Sequence, residues 1–157
     1  ELGKSFKERQ SIEKIYEENR TRNEKAIQEI RELGKTNVTG KDIVKYKLWK
    51  DQNEICIYSG KHIKVEDLFT DAVDIDHIIP YSQCFDDTYK NKVLVLASEN
   101  RQKGNRTAYK YIKEAGKNLE EYEVRVNNYI KDYRKKERLL KADFSTEDAK
   151  NWKDRNI

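Results

Sequence analysis

Two short apolar runs, residues 73–79 and 92–96, constrain this chain most, because the sequence around them is dense in charge. Both are rich in Val, Ile and Leu and short enough to read as strands. The only proline, Pro80, closes the first run. Ser98 is placed to cap a helix after the second, and Gly104 to end it about two turns later. With the loop 81–91 between the runs, the unit is strand, loop, strand, helix. The fold class expected is α+β: mainly helical, with a small antiparallel sheet and a ββα core.

The rest of the chain reads as helix. A length of 157 residues suits one domain. With 39% of residues charged and 36% hydrophobic, the core must be small and much helix surface solvated. Phe6, Ile12, Ile15, Tyr16, Ala26, Ile27, Ile30 and Leu33 recur at three- and four-residue steps, and Gly34 supplies a stop. Between Glu17 and Lys25 that stripe almost vanishes, as in a connector or docking arm. A second helix is predicted from Thr39, burying Ile43, Val44, Leu48 and Trp49. Residues 55–58 and 61–63 read as a small hairpin, and 65–69 as one helical turn. Further helices are predicted beyond Arg106, the last beginning at Ser145 and carrying Trp152.

Net charge is only +4 and the pI about 8.9, short of a strongly basic nucleic-acid binder. The distribution is more telling. Residues 98–117 and 131–141 each hold six basic and two acidic side chains, so the positive charge is concentrated beside the ββα unit. A solvated helix face would explain either run alone. Cys56 and Cys84 lie far apart, forming neither a disulfide framework nor a zinc pair, and both read as reduced, intracellular cysteines. No signal peptide is evident, and no apolar stretch nears the roughly 20 residues of a membrane span. The chain begins at Glu1 and contains no Met, so a fragment of a longer protein is expected.

The order Asp76-His77, loop, strand, Asn100 carries the candidate chemistry. Phosphodiester hydrolysis needs an activated water, charge neutralisation on the phosphate oxygens and help for the departing oxygen. His77 can accept the water's proton, since imidazole titrates near neutrality. Asp76 is a hard oxygen ligand suited to Mg²⁺, and Asn100 can add a neutral amide oxygen. Taken singly, a histidine at a strand end is more often structural than catalytic, and Asn100 more often a cap. Neighbouring strand residues point to opposite faces, so a bend or bulge is expected at Asp76 and His77.

Residues 73–106 resemble the HNH (histidine-asparagine-histidine) ββα-metal nucleases. They are most similar to the HNH domain of type II, subtype C, CRISPR-associated RNA-guided DNA endonucleases. The matching phrases are Val73-Asp74-Ile75-Asp76-His77-Ile78-Ile79-Pro80-Tyr81-Ser82, Phe85-Asp86-Asp87, Asn91-Lys92-Val93-Leu94 and Glu99-Asn100-Arg101-Gln102-Lys103-Gly104-Asn105-Arg106. Cys56-Ile57-Tyr58-Ser59 resembles the upstream hairpin of that family, and residues 19–24 its leading helix. The organisation implied is a linker helix over 1–38, a nuclease core over 39–125, and C-terminal helices with an exit linker over 126–157.

The resemblance implies that His77 is the general base, and that Asp76 and Asn100 are the metal ligands. Asn91 orders the site, and Lys103 lies near the phosphate backbone. Lys92 and Arg106 are expected DNA-backbone contacts on charge grounds alone. The implied cofactor is Mg²⁺, with Mn²⁺ an alternative and no structural zinc, since Cys56 lacks a Cys-x-x-Cys partner. Asn100 stands where the wider HNH group has its final histidine, and His62 is expected to be structural or exposed. The implied substrate is the DNA strand paired to a guide RNA. Implied partners are the RuvC-like and other domains of a parent effector and, for some relatives, an inhibitor protein, in the bacterial cytoplasm and at no membrane. A free-standing HNH endonuclease and a non-catalytic nucleic-acid-binding helical module are the alternatives.

Overall fold

The structure is a computed structural model that describes residues 5–142, 144, 148, 150 and 151. Ser145 and Trp152, expected in a last helix, lie outside the described residues. The chain divides into two compact units, residues 1–47 and 48–157.

In the first unit, α1 (Phe6–Glu32) starts on a capping box. The Ser5 hydroxyl accepts from the Glu8 N–H at 3.1 Å, and the Glu8 carboxylate accepts from the Ser5 N–H at 3.2 Å. Through its polar middle the helix is laced by Arg20 with Glu17 and Glu24, and by Arg22 with Glu18. It runs unbroken where the apolar stripe lapses. Phe6, Ile15 and Tyr16 are exposed and only Ala26 and Ile30 are buried, so the expected packing face exists only in the C-terminal half. Thr39 and Asp42 exchange two backbone-to-side-chain hydrogen bonds that start α2 (Gly40–Asp51), whose residues from Leu48 onward belong to the second unit. Its buried face carries Tyr46, Leu48 and Trp49, whereas Ile43 and Val44 are half-buried.

The second unit holds the sheet. Asn53 and Glu54 adopt positive φ and turn the chain out of α2. The expected hairpin reduces to a single bridge between Ile55 and His62, and Cys56, Ile57 and Tyr58 pass into the core as irregular chain. A one-turn helix, α3 (Val65–Leu68), precedes β1 (Val73–His77). The expected loop contains a short helix, α4 (Tyr81–Cys84), and a 3₁₀ turn (Tyr89–Asn91) before β2 (Lys92–Leu96). The strands pair antiparallel from Val73 opposite Leu96 to His77 opposite Lys92, one residue to one. The expected bulge at Asp76 and His77 is therefore absent. β1 stays regular and stops at His77, two residues short of the predicted strand end.

Helix α5 (Ala97–Lys103) starts directly from β2 with Leu96 at its cap position and no side-chain cap. Ser98 thus lies inside the first turn, while Gly104 (φ +57°) ends the helix as expected. Helices α6 (Ala108–Glu114), α7 (Leu119–Tyr129) and α8 (Tyr133–Leu140) follow, capped by Thr107, Asn118 and Asp132. Helix α7 runs unbroken across 125/126.

A two-stranded sheet leaves exposed ladder groups on both edges. The outer edge of β2 is closed by a side chain. Buried Gln52 accepts from the Leu94 N–H at 2.7 Å and donates to the Leu94 carbonyl at 2.8 Å, as a third strand would. Gln52→Leu strands a buried donor and acceptor, so a loss of about 3 kcal/mol is expected in urea denaturation.

Helix α8 braces the loop before β2 from outside. Arg138 pairs with buried Asp86 at 3.1 Å, and the Lys135 ammonium sits 4.1 Å from the centre of the Tyr89 ring. Burial pushes Lys135 down from 10.5 to about 8. The folded chain thus releases this proton before the unfolded chain does, and protons held only by the unfolded state make stability rise with pH. Relative to Lys135→Met, the wild type is expected to gain on the order of 3 kcal/mol between pH 8 and 10.5, read from paired denaturation curves.

Candidate active site

Alternation along β1 sorts the acidic motif into two sets. Asp74 and Asp76 face α5, where Asn100 and Lys103 stand one turn apart. Asn100 donates its amide N–H to Asp74 at 3.0 Å. Asp76, 9% exposed, accepts from the Tyr58 hydroxyl at 2.7 Å and lies 2.9 Å from the Lys103 ammonium. Burial holds the Tyr58 hydroxyl well above its usual range, with Asp76 adding to the effect, so it stays a donor.

Lys103, expected near the phosphate backbone, is only 1% exposed. It also donates to the His77 carbonyl at 2.8 Å, so one ammonium ties β1 to α5. Burial lowers its pKa, and the Asp76 carboxylate opposes that shift. In this arrangement Lys103 organises the carboxylate from within.

His77 faces the other way. Its Nε2 is 2.7 Å from the carboxylate of Asp87, which also lies 3.2 Å from the Lys92 ammonium. The hydrogen bond to His77, then Lys92, holds the Asp87 carboxyl below its usual range. The Nδ1 of His77 has no hydrogen-bond partner among the described residues. Lys92, expected to touch DNA, points at Asp87. Arg106 closes the end of α5 by donating to the Gln102 and Lys103 carbonyls, and pairs with Glu114 at 3.2 Å.

Asn91 is fully buried and orders the loop. Its amide donates to the Ile79 and Asp86 carbonyls, both at 2.9 Å, and accepts from the Ile79 N–H at 3.0 Å. Asp86 accepts from Thr88 and Arg138. Asp87 thus hangs between anchored neighbours. Asp87 and Tyr58 were not singled out by sequence reasoning. An acid ten residues beyond the histidine was a usable signal for the first, whereas Tyr58 is 18 residues from Asp76 and has no local one. Among the described residues, His62 makes the bridge to Ile55 described above, and its side chain is exposed.

The donor chemistry suits a divalent ion. Asp74, Asp76 and Asn100 bring hard oxygens from one strand face and one helix turn, and the Lys103 ammonium already occupies a cation position against Asp76. Among the described residues no three His, Cys, Asp or Glu side chains cluster as a metal cage. An ion that keeps several waters and takes few protein ligands fits such a set.

Residues 56–109 match the HNH endonuclease family. Over 73 residues, 46% of this chain, the sequence is 48% identical to the CRISPR-associated endonuclease Cas9 of Campylobacter jejuni, covering 7% of that protein. It is 46% identical over 70 residues to Cas9 of Staphylococcus aureus, 43% of this chain and 7% of the relative. Streptococcus thermophilus Cas9, solved in complex with the GGAA PAM, aligns with a TM-score of 0.76 at 28% identity, over 99% of this chain and 17% of that one. The type II-C Cas9 enzyme of Actinomyces naeslundii shares the fold at a TM-score of 0.69 and 23% identity, over 87% of this chain and 15% of that one. The chain spans about 7% of the length of the curated relatives it matches. Its HNH segment is homologous to the HNH regions of Cas9 endonucleases, which implies a divalent metal cofactor.

Proposed function

We propose that this HNH segment is the nuclease domain of an RNA-guided effector and hydrolyses the DNA strand paired to the guide. The observation that carries this reading is the placement of Asp76 and His77 at the end of β1, with Asn100 on α5 hydrogen-bonded to Asp74 of the same strand, inside the matched segment. Asp76 and Asn100 would hold the divalent ion, Mg²⁺ by preference with Mn²⁺ as the alternative. The ion supplies charge neutralisation at the scissile phosphate and eases departure of the leaving oxygen.

The chain's own residues do the rest. Ionised Asp87 favours the tautomer with the proton on Nε2, leaving the Nδ1 lone pair of His77 to take a proton from the attacking water. Lys103 and Tyr58 hold Asp76 in place, as supporting residues orient a ligand. Asn91 keeps the loop that carries Asp87 in register with β1. Lys92 and Arg106 act through Asp87 and the α5 terminus. Hydrolysis leaves a 3′-hydroxyl and a 5′-phosphate. The guide–DNA duplex, RuvC-like and other domains of the parent protein, and in some settings an inhibitor protein are the partners of this reading, in a bacterial cytoplasm.

Strand-resolved cleavage tests it. The full-length parent is given an end-labelled, guide-matched duplex with Mg²⁺ or EDTA. Guide-paired strand cutting that depends on Asp76, His77 and Asn100 is expected. Cutting of that strand by variants of all three would end the assignment.

A further inference from the structure

Asp74 is half-buried on the face of β1 that carries Asp76, yet the hydrolytic chemistry gives it no part. Among the described residues its carboxylate has one hydrogen-bond partner, Asn100, whose Nδ2 donates to Asp74 Oδ2 at 3.0 Å. A carboxylate accepts and cannot donate, so the amide edge turned towards Asp74 has to be the NH₂. The amide oxygen of Asn100 is thereby turned away, and it has no hydrogen-bond partner among the described residues.

Asp76 shows the same division. Both of its internal donors, the Tyr58 hydroxyl and the Lys103 ammonium, lie on Oδ2. Its Oδ1 has no hydrogen-bond partner among the described residues. Each proposed ligand is thus anchored through one atom and keeps one oxygen unclaimed. For asparagine the anchor matters more, because its two amide edges have nearly the same shape and only one is oxygen. Turned the other way, the amide presents N–H dipoles that repel a cation. Asn100 also lies inside α5, where a short polar side chain without a partner turns back to the helix's own backbone. Tyr58 and Lys103 are engaged with Asp76, which leaves Asp74 to fix the amide.

We propose that Asp74 is a positioning residue that holds the Asn100 amide with its oxygen available to the divalent ion. The inference rests on the nuclease reading, which makes Asn100 a ligand. Removing a partner that orients a metal ligand typically costs about 10- to 100-fold in metal affinity.

The test is Mn²⁺ binding to the 157-residue chain, read as loss of the free-ion electron paramagnetic resonance signal. Asp74→Leu removes the acceptor at similar size and is expected to bind Mn²⁺ about 10- to 100-fold more weakly. Asp74→Asn pairs with the amide either way round, so an intermediate loss is expected. Being nearly isosteric, it keeps the comparison alive if the Leu variant does not fold. Asn100→Asp separates positioning from direct ligation, since a carboxylate has oxygen on both edges and needs no orienting. In that background Asp74→Leu is expected to change Mn²⁺ affinity by less than about twofold. A loss that persists there in full overturns the proposal, because Asp74 would then be a ligand itself. Wild-type affinity in both Asp74 variants also overturns it, as does wild-type Mn²⁺ binding that is absent or that Asp76→Ala leaves unchanged. If the proposal fails while the parent's cleavage still requires Asp76, His77 and Asn100, the nuclease reading stands without it.

Discussion

His77→Ala in the full-length parent is expected to slow cleavage of the guide-paired strand by about 10²- to 10⁴-fold, the usual contribution of a positioned general base. The other strand should still be cut and DNA binding should be unchanged. His77 is partly exposed at the end of β1, and its ring bonds only to a loop carboxylate, so its removal strands no buried group. Stability should therefore move little, and the loss reports chemistry. Asp87→Asn should lower the rate less, since it leaves the imidazole in place but removes the charge that fixes its tautomer. Single-turnover rates with strand-specific labels measure both. Normal cutting of the guide-paired DNA strand by His77→Ala would remove the general-base role and bring the non-catalytic helical module forward.

Asp76→Ala is expected to fail twice. Cleavage should fall to background, because the proposed reading makes Asp76 the anionic metal ligand. Folding stability should also fall by roughly 3–5 kcal/mol, because the Lys103 ammonium and the Tyr58 hydroxyl are left buried without their partner. The double variant Asp76→Asn with Lys103→Met separates the two effects. It removes both charges together, so most of the stability should return while cleavage stays absent. Paired urea denaturation and cleavage assays give the result. Recovered cleavage in the double variant would show that Asp76 is not a ligand, and an Asp76→Ala variant as stable as the wild type would show that Lys103 does not depend on it.

The elements that could be read from sequence are those in which local pattern and burial agree. β2 spans the residues predicted because Val93, Leu94 and Val95 are all buried, so a continuous apolar run was the right signal. The hairpin at 55–63 was misread for the same reason inverted. Cys56, Ile57 and Tyr58 are apolar because they are buried, and burial does not require a ladder. Ser98 resembled a cap, but β2 passes straight into α5, whose cap position is Leu96, two residues earlier. The basic run at 98–117 suggested a surface, yet the pattern could not show that Lys103 points inward while its neighbours stay solvated.

By itself the sequence determined the order strand, loop, strand, helix and offered Asp76, His77 and Asn100 as candidate reactive groups, while the resemblance to the HNH nucleases implied an ordering place for Asn91. The order of elements follows from pattern and spacing over some 30 residues, which local physics can decide. Only the tertiary structure decided which groups hold them. Tyr58 reaches Asp76 across 18 residues, Lys103 crosses from α5 to the same carboxylate, and Gln52 closes β2 from 42 residues away. A buried polar group must find a partner wherever the fold brings one, and that requirement leaves no periodic trace along the chain.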